Sequence, residues 1–107
     1  MDKGGFVYLV YLGFRDTYKI GKTRDMPKRI KELMASNPHL KFVHCKWVPN
    51  CGRTEKDFHE MYKSRLVERE IFKLSNADVN NIINMLNGIA SKANKKRLSR
   101  KGTIAFV

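Results

Sequence analysis

The chain has little of what secreted and membrane proteins usually need. It contains only two cysteines, Cys45 and Cys51, which are too few for a disulfide framework. No apolar run approaches the roughly 20 residues that span a bilayer, and the first residues, MDKGGF, lack the shape of a signal peptide. We therefore expect an intracellular protein with no membrane partner.

Acidic residues are also scarce. Ten Asp and Glu stand against 22 Lys and Arg, so the net charge is +12. Six of the cations lie in residues 92–101 (KANKKRLSRK), which contain no acid, and this leaves +6 on residues 1–91. Because cations near phosphates release condensed counterions, this balance favours a nucleic acid as the partner.

Several familiar catalytic signatures are missing. There is no Walker loop, no glycine fingerprint for a dinucleotide and no G-x-S-x-G motif. The cysteines and histidines 44, 45, 51 and 59 do not have a standard zinc-ligand spacing. We therefore expect neither a small-molecule cofactor nor a zinc site.

Hydrophobic periodicity predicts an α+β domain with the order β-β-α-β-α-α. GFVYLVYL (5–12) is apolar on both alternating faces, which indicates a central strand. Residues 13–16 predict a turn before a second strand, TYKIG, and LKFVHCKWV (40–48) predicts a third. We expect a small three-stranded, mainly antiparallel sheet with flanking helices.

Capping signals predict where the helices begin and end. Asp25 can cap the first helix, which Asn37-Pro38 ends, and Thr54 opens the second helix in a capping box. Ser75 opens the last helix, which we expect to end near Gly88. The expected buried stripe of the second helix consists of Phe58, Met61, Tyr62 and Leu66.

The charge distribution divides the chain in two. Residues 1–91 are expected to form one domain, and residues 92–107 a basic, flexible C-terminal tail. In a competing interpretation, residues 104–107 return as a final edge strand.

Tyr8, Lys19 and Arg29 are candidates for handling phosphate. A hairpin that turns at residues 13–16 lets Tyr8 approach Lys19, and an ammonium group lowers the pKa of a neighbouring phenol. The tyrosine could then orient an attacking water or take its proton. Arg29 follows on the next helix, and its planar guanidinium suits a phosphate oxygen.

Glu55 is the candidate metal ligand. A phosphodiesterase needs an oxygen ligand for a hard divalent cation, and Glu55 adjoins the apolar face of the second helix. His59 lies one turn later. It could support Glu55 without binding the metal itself, contact the substrate, or be a partly buried helix histidine.

Taken in order, these motifs resemble those of the GIY-YIG nuclease superfamily, in particular its short phage and virus branch. Gly5-Phe6-Val7-Tyr8 stands for the first motif, Lys19-Ile20-Gly21 for the second, and Arg29 follows at the usual interval. An acid, a histidine and an arginine precede E-x-F in that branch, as Glu55, His59, Arg65 and Glu70-Ile71-Phe72 do here.

The resemblance covers residues 4–75 and implies a metal-dependent DNA endonuclease. It implies a single Mg²⁺ or Mn²⁺ held by Glu55, catalysis by Tyr8, Lys19, Arg29 and Glu55, and products with 5′-phosphate and 3′-hydroxyl ends. Lys19 stands at the second tyrosine position of the family. The expected substrate-binding residues are Tyr18, Lys22, His59 and Arg65.

Two positions depart from the family pattern and keep an alternative open. Leu33 stands where active relatives often have a histidine or tyrosine, and the family's asparagine can be matched to Asn76, Asn80 or Asn81. The alternative is a catalytically inactive module on the same fold that binds duplex or branched DNA. A third interpretation is an RNA-binding protein in which Trp47 or Phe106 stacks on unpaired bases.

Overall fold

The computed structural model describes the backbone of residues 4–101 and the side chains of residues 4–92. In chain order the elements are β1 (Gly5–Tyr11), β2 (Thr17–Thr23), α1 (Met26–Ser36), β3 (Lys41–Val48), α2 (Cys51–Met61), a 3₁₀ turn (Lys63–Arg65), β4 (Leu66–Glu68), β5 (Ile71–Lys73) and α3 (Asn76–Lys101).

Within residues 4–101 the sheet is antiparallel and has five strands in the order β3-β1-β2-β5-β4. The predicted α+β class and the three predicted strands are confirmed, but the expected total of three strands is wrong. The two additional strands, β4 and β5, form a hairpin that extends the sheet beyond β2. β1 lies inside the sheet and contributes buried residues to both faces, as its apolar sequence predicts.

The turn between β1 and β2 lies where the sequence predicts it. Gly13, Arg15 and Asp16 have positive φ angles of 85°, 45° and 59°, and Thr17 N donates to Phe14 O at 3.0 Å. Only Gly13 adopts such a φ without cost from a side chain.

Of the caps predicted for the first two helices, one is confirmed and the other is wrong. The Asp25 carboxylate accepts a hydrogen bond from Lys28 N at 3.1 Å, so the predicted cap of α1 is confirmed. The predicted cap at Thr54 is wrong, because α2 begins at Cys51 and Asn50 accepts from Arg53 N at 3.1 Å. The helix therefore begins one turn earlier than its capping-box signal indicates.

The segment after α2 also differs from the prediction. The helix ends at Met61, so Leu66 lies in β4 and is 46% exposed. Met61 is exposed as well, whereas Phe58 and Tyr62 are buried as expected.

The predicted opening of α3 is confirmed, and its predicted end is wrong. Asp78 N donates to Ser75 Oγ at 3.1 Å, and Ser75 N donates to the Asp78 carboxylate at 3.0 Å. The helix continues through Gly88 to Lys101. The flexible tail of residues 92–107 stays a prediction, and the alternative edge strand at 104–107 lies outside the described residues.

Two hydrophobic clusters cover opposite faces of the sheet, because successive strand residues point to opposite sides. The larger cluster joins the sheet to α2 and α3, and its most buried members include Leu9, Ile20, Phe58, Ile82 and Leu86. The smaller cluster joins the sheet to α1 and contains Tyr8, Val10, Met26 and Leu40. We call these the α2 face and the α1 face.

Candidate active site

Tyr8 lies on the α1 face directly opposite Gly21 of β2. A Cβ atom at position 21 would overlap the tyrosine ring, so glycine is required for this close approach. Tyr8 is only 1% exposed, and its ring is part of the smaller hydrophobic cluster. Lys19 lies on the same face, opposite Val10, and is therefore diagonal to Tyr8 across the two strands.

The Tyr8 hydroxyl is harder to ionise than the sequence predicts. Burial is the main cause and raises its pKa from 10.0 to about 12; Arg29 lowers the pKa, while Glu70 and Glu55 raise it. The expectation that a neighbouring lysine lowers this pKa is therefore wrong. The cation that acts on Tyr8 is Arg29.

Arg29 lies in α1 next to Tyr8, in a half-buried position. One guanidinium nitrogen, Nη1, is 3.4 Å from a carboxylate oxygen of Glu32. Its Nε is buried and has no hydrogen-bond partner among the described residues. Because a buried donor without a partner is costly, a ligand oxygen would be favoured there.

Glu55 lies in the second turn of α2, on the α2 face, and is 9% exposed. Lys22 of β2 lies on the same face and places Nζ 3.7 Å from the Glu55 carboxylate. Burial raises the pKa of Glu55, and Glu70 raises it further, whereas His59 and Lys22 lower it. Glu55 is thus a buried acid with a second acid beside it.

Glu70 is the residue that sequence reasoning missed. It lies just before β5, its carbonyl accepts from Ile20 N at 3.2 Å, and its carboxylate is 3.2 Å from Lys19 Nζ. Its carboxylate also lies close enough to Glu55 to raise the pKa of that acid. Glu70 therefore connects Lys19 of the α1 face with Glu55 of the α2 face. Its position in E-x-F was the signal that could have identified it.

Two predicted substrate-binding residues form contacts within the protein. His59 Nε2 is 2.9 Å from the carbonyl oxygen of Ile20 and acts as its donor, and the ring packs against Phe72. Arg65 forms an ion pair with Asp78 at the start of α3. His59 lines the same groove as Glu55, whereas Arg65 lines a separate groove with Asp16 and Lys73.

Tyr18 is separated from Tyr8 by the alternation of the strands. It pairs with Tyr11 across the hairpin, with ring centroids 5.1 Å apart, and packs against the larger cluster. The structure therefore places Tyr8, Arg29 and Lys19 on the α1 face and Glu55 and Lys22 on the α2 face. Glu70 lies between Lys19 and Glu55, and Tyr18 and Arg65 lie apart.

An open groove of about 470 Å³ lies in front of Glu55, between α2 and the β4–β5 hairpin. Its walls carry four cations, which are Lys22, Lys56, Lys63 and Arg69. Two acids, Glu55 and Glu60, also line the groove, so cations exceed acids by two, and an excess of positive charge concentrates ligands of the opposite sign. This groove suits an anionic chain.

The acids of the site suit Mg²⁺ or Mn²⁺. Residues 4–92 contain no cluster of three or more His, Cys, Asp and Glu side chains that could hold a metal ion. Mg²⁺ does not need such a cage, because it usually keeps several waters and binds one or two carboxylates together with phosphate. Glu55, with Glu70 beside it, offers that donor set.

The two departures from the family pattern lie in structural positions. Leu33 packs against the smaller hydrophobic cluster. Asn81 donates a hydrogen bond to the Tyr62 hydroxyl at 2.8 Å, so this asparagine connects α3 to the end of α2. Trp47 is 40% exposed beside Gly4, and Phe106 lies outside the described residues.

Residues 5–87 match the T5orf172 domain. The chain belongs to the T5orf172 domain family. The T5orf172 domain is phage-associated and belongs to a set of endonuclease-related domains of GIY-YIG and HNH-like kinds, although the match does not single out the GIY-YIG superfamily. The membership of the chain in this family is consistent with a nuclease or a DNA-binding role.

No curated protein and no solved structure matches this T5orf172 domain significantly. Within the described part of the chain, no helix is both long and apolar enough to cross a membrane.

Proposed function

We propose that the chain is a metal-dependent DNA endonuclease with a single-metal site of the GIY-YIG type. The observation that carries this proposal is a buried carboxylate, Glu55, that opens on a groove with four cations on its walls. The cations suit the phosphates of a DNA backbone, and the carboxylate suits a hard divalent cation. The T5orf172 family supports the same class of function.

The side chains divide the work according to their chemistry. The Arg29 guanidinium, through Nε and its other nitrogens, would bind a non-bridging oxygen of the scissile phosphate. Since the pKa of Tyr8 is about 12, its hydroxyl is protonated at neutral pH and would orient the attacking water, not act as a phenolate base. Lys19, held by Glu70, would add positive charge on the same side.

Glu55 would hold one Mg²⁺ or Mn²⁺, with Glu70 next to it. When bound, the cation would stabilise the charge that develops on the leaving 3′ oxygen. In this hydrolysis the water oxygen forms a bond to phosphorus, the bond from phosphorus to O3′ breaks, and O3′ gains a proton. The products would be a 5′-phosphate and a 3′-hydroxyl.

Cleavage of supercoiled and branched DNA tests this function. We expect nicking or linearisation with Mg²⁺ or Mn²⁺ and none with EDTA. DNA binding without cleavage under any of these metals would contradict the proposal.

The second candidate is a DNA-binding module that has lost catalysis. Leu33 favours it, because an apolar core residue stands where active relatives of the GIY-YIG superfamily often carry a histidine or tyrosine. The Lys22–Glu55 ion pair favours it as well, because Lys22 already offsets the charge of the carboxylate. Binding without cleavage is the result that this candidate predicts.

A further inference from the structure

The turn between β4 and β5 holds an arginine in an unusual backbone conformation. Arg69 has a φ of 50°, in the left-handed region that disfavours residues with a side chain. Glycine or asparagine would fit this position at a lower cost. An arginine at position 69 therefore costs folding free energy, and the conformation of the turn does not explain why an arginine is there.

The Arg69 side chain lies where a cation is useful. It lines the groove in front of Glu55, on the wall opposite α2, and it is exposed. Among the described residues it takes part in none of the ion pairs, whereas Lys22 and Lys63 of the same groove are each paired with an acid. Its guanidinium is thus available to an anion that enters the groove.

The backbone around Arg69 is fixed relative to the candidate site. The next residue, Glu70, accepts a hydrogen bond from Ile20 N and pairs with Lys19, and Phe72 of β5 packs under His59. The hairpin therefore holds Arg69 at a set distance from Glu55.

We propose that Arg69 binds a phosphate of the DNA strand that lies in this groove, and that the β4–β5 hairpin is a second DNA-contacting element. This inference rests on the proposed function, and it adds to it the residue that fixes the strand on the wall opposite α2. A guanidinium can hold a phosphate through two parallel hydrogen bonds.

The substitution Arg69→Gly separates this role from a structural one. Glycine relieves the backbone cost, so the melting temperature should stay unchanged or rise by up to about 4 °C. Affinity for a fluorescent mixed-sequence duplex in EDTA should fall about five- to tenfold, and the slope of log K against log salt should flatten by about 0.9. Arg69→Asn, which also tolerates this φ, should give the same loss and covers the case in which the glycine variant does not fold.

Arg15→Gly is a matched control. Arg15 also has a positive φ, 45°, and is exposed, but it lies in the β1–β2 turn with its guanidinium over the ring of Phe14. The same change removes the same charge away from the groove, so affinity should change less than twofold.

Equal losses in the two variants would reduce the effect to net charge and overturn the inference. Wild-type affinity in Arg69→Gly or Arg69→Asn would overturn it while leaving the proposed function intact. A wild-type protein that does not bind DNA would overturn both.

Discussion

The two faces of the sheet contribute different chemistry to the candidate site. On the α1 face, Tyr8 and Arg29 offer a hydroxyl and a guanidinium, which can orient water and bind phosphate. On the α2 face, Glu55 offers an oxygen ligand beside a basic groove. Because Glu70 contacts groups of both faces, the site depends on the junction between them. Substitutions can nevertheless be confined to one face at a time, so the contribution of each face to cleavage can be measured by itself.

The largest effect is expected from the α2 face. Glu55→Ala should abolish metal-dependent cleavage and leave DNA affinity unchanged or slightly higher, because it removes a metal ligand and a negative charge together. Plasmid cleavage and fluorescence anisotropy measure the two quantities. Glu60→Ala is the control, since Glu60 is an exposed acid of the same helix and groove, and it should cleave normally. Equal activity in wild type and Glu55→Ala would remove Glu55 from the site.

On the α1 face, Tyr8→Phe should slow cleavage by about 10² or more, because the ring keeps its packing and only the hydroxyl is lost. Single-turnover kinetics measure the rate. Tyr11→Phe removes a hydroxyl from the opposite face of the same strand and should have no effect. A full rate in Tyr8→Phe would show that the hydroxyl does not act on the water.

A smaller effect is expected at the junction. Lys19→Ala should slow cleavage about tenfold, because it removes a positive charge near the phosphate. The charges that shift the pKa of Tyr8 come from Arg29 and acids, so we expect the pH–rate profile to keep its position. A shift of that profile to higher pH would instead show that Lys19 lowers the pKa of the tyrosine.

Stability at alkaline pH tests the burial of Tyr8 without any DNA. The pKa of its hydroxyl is 10.0 in the unfolded chain and about 12 in the folded one. The corresponding stability is fully present below pH 10 and is lost as the pH rises toward 12, by about 2 to 3 kcal/mol. Urea unfolding of wild type and Tyr8→Phe at about pH 9 and about pH 11 should show the wild type losing more stability. A constant difference between the two would mean that the hydroxyl is solvated.

The smallest effect is expected at Arg65, which lies on neither side of the site. Its ion pair with Asp78 is partly exposed, so Arg65→Ala should cost about 0.2 to 1 kcal/mol of unfolding free energy and leave cleavage unchanged. A double-mutant cycle with Asp78→Ala measures the pair. Weaker DNA binding by Arg65→Ala at unchanged stability would instead support the prediction that Arg65 binds the substrate.

Local signals predicted the parts of the fold that are local. The β1–β2 hairpin and the caps of α1 and α3 depend on residues close in sequence, and the sequence shows them. β4 and β5 have three residues each, which is too short for a period to be recognised. Thr54 and Asp57 imitate a capping box inside a helix that Asn50 has already begun.

The residues of the candidate site also divide into those that the local sequence identifies and those whose contacts depend on the fold. Tyr8, Arg29 and Glu55 could be proposed from the spacing of motifs along the chain. The E-x-F motif marks Glu70, but the pairing of Glu70 with Lys19 could not be proposed, because it depends on β5 lying beside β2. The raised pKa of Tyr8 could not be predicted from the sequence either, because it arises from the burial of Tyr8 under α1 and against Gly21. Burial on two sides is a property of the folded chain and not of the hairpin sequence.

The strand order also bears on the solubility of the protein. Within the described residues β3 and β4 are the edge strands, and an open edge can template the pairing of a second chain. β4 exposes Leu66 and Val67 but has only three residues, which limits such pairing. β3 is longer, yet it exposes Lys41 and Lys46 and has a bulge opposite Leu9 and Val10. Lys41 and Lys46 therefore disfavour edge-to-edge pairing of two chains, an effect that does not involve DNA.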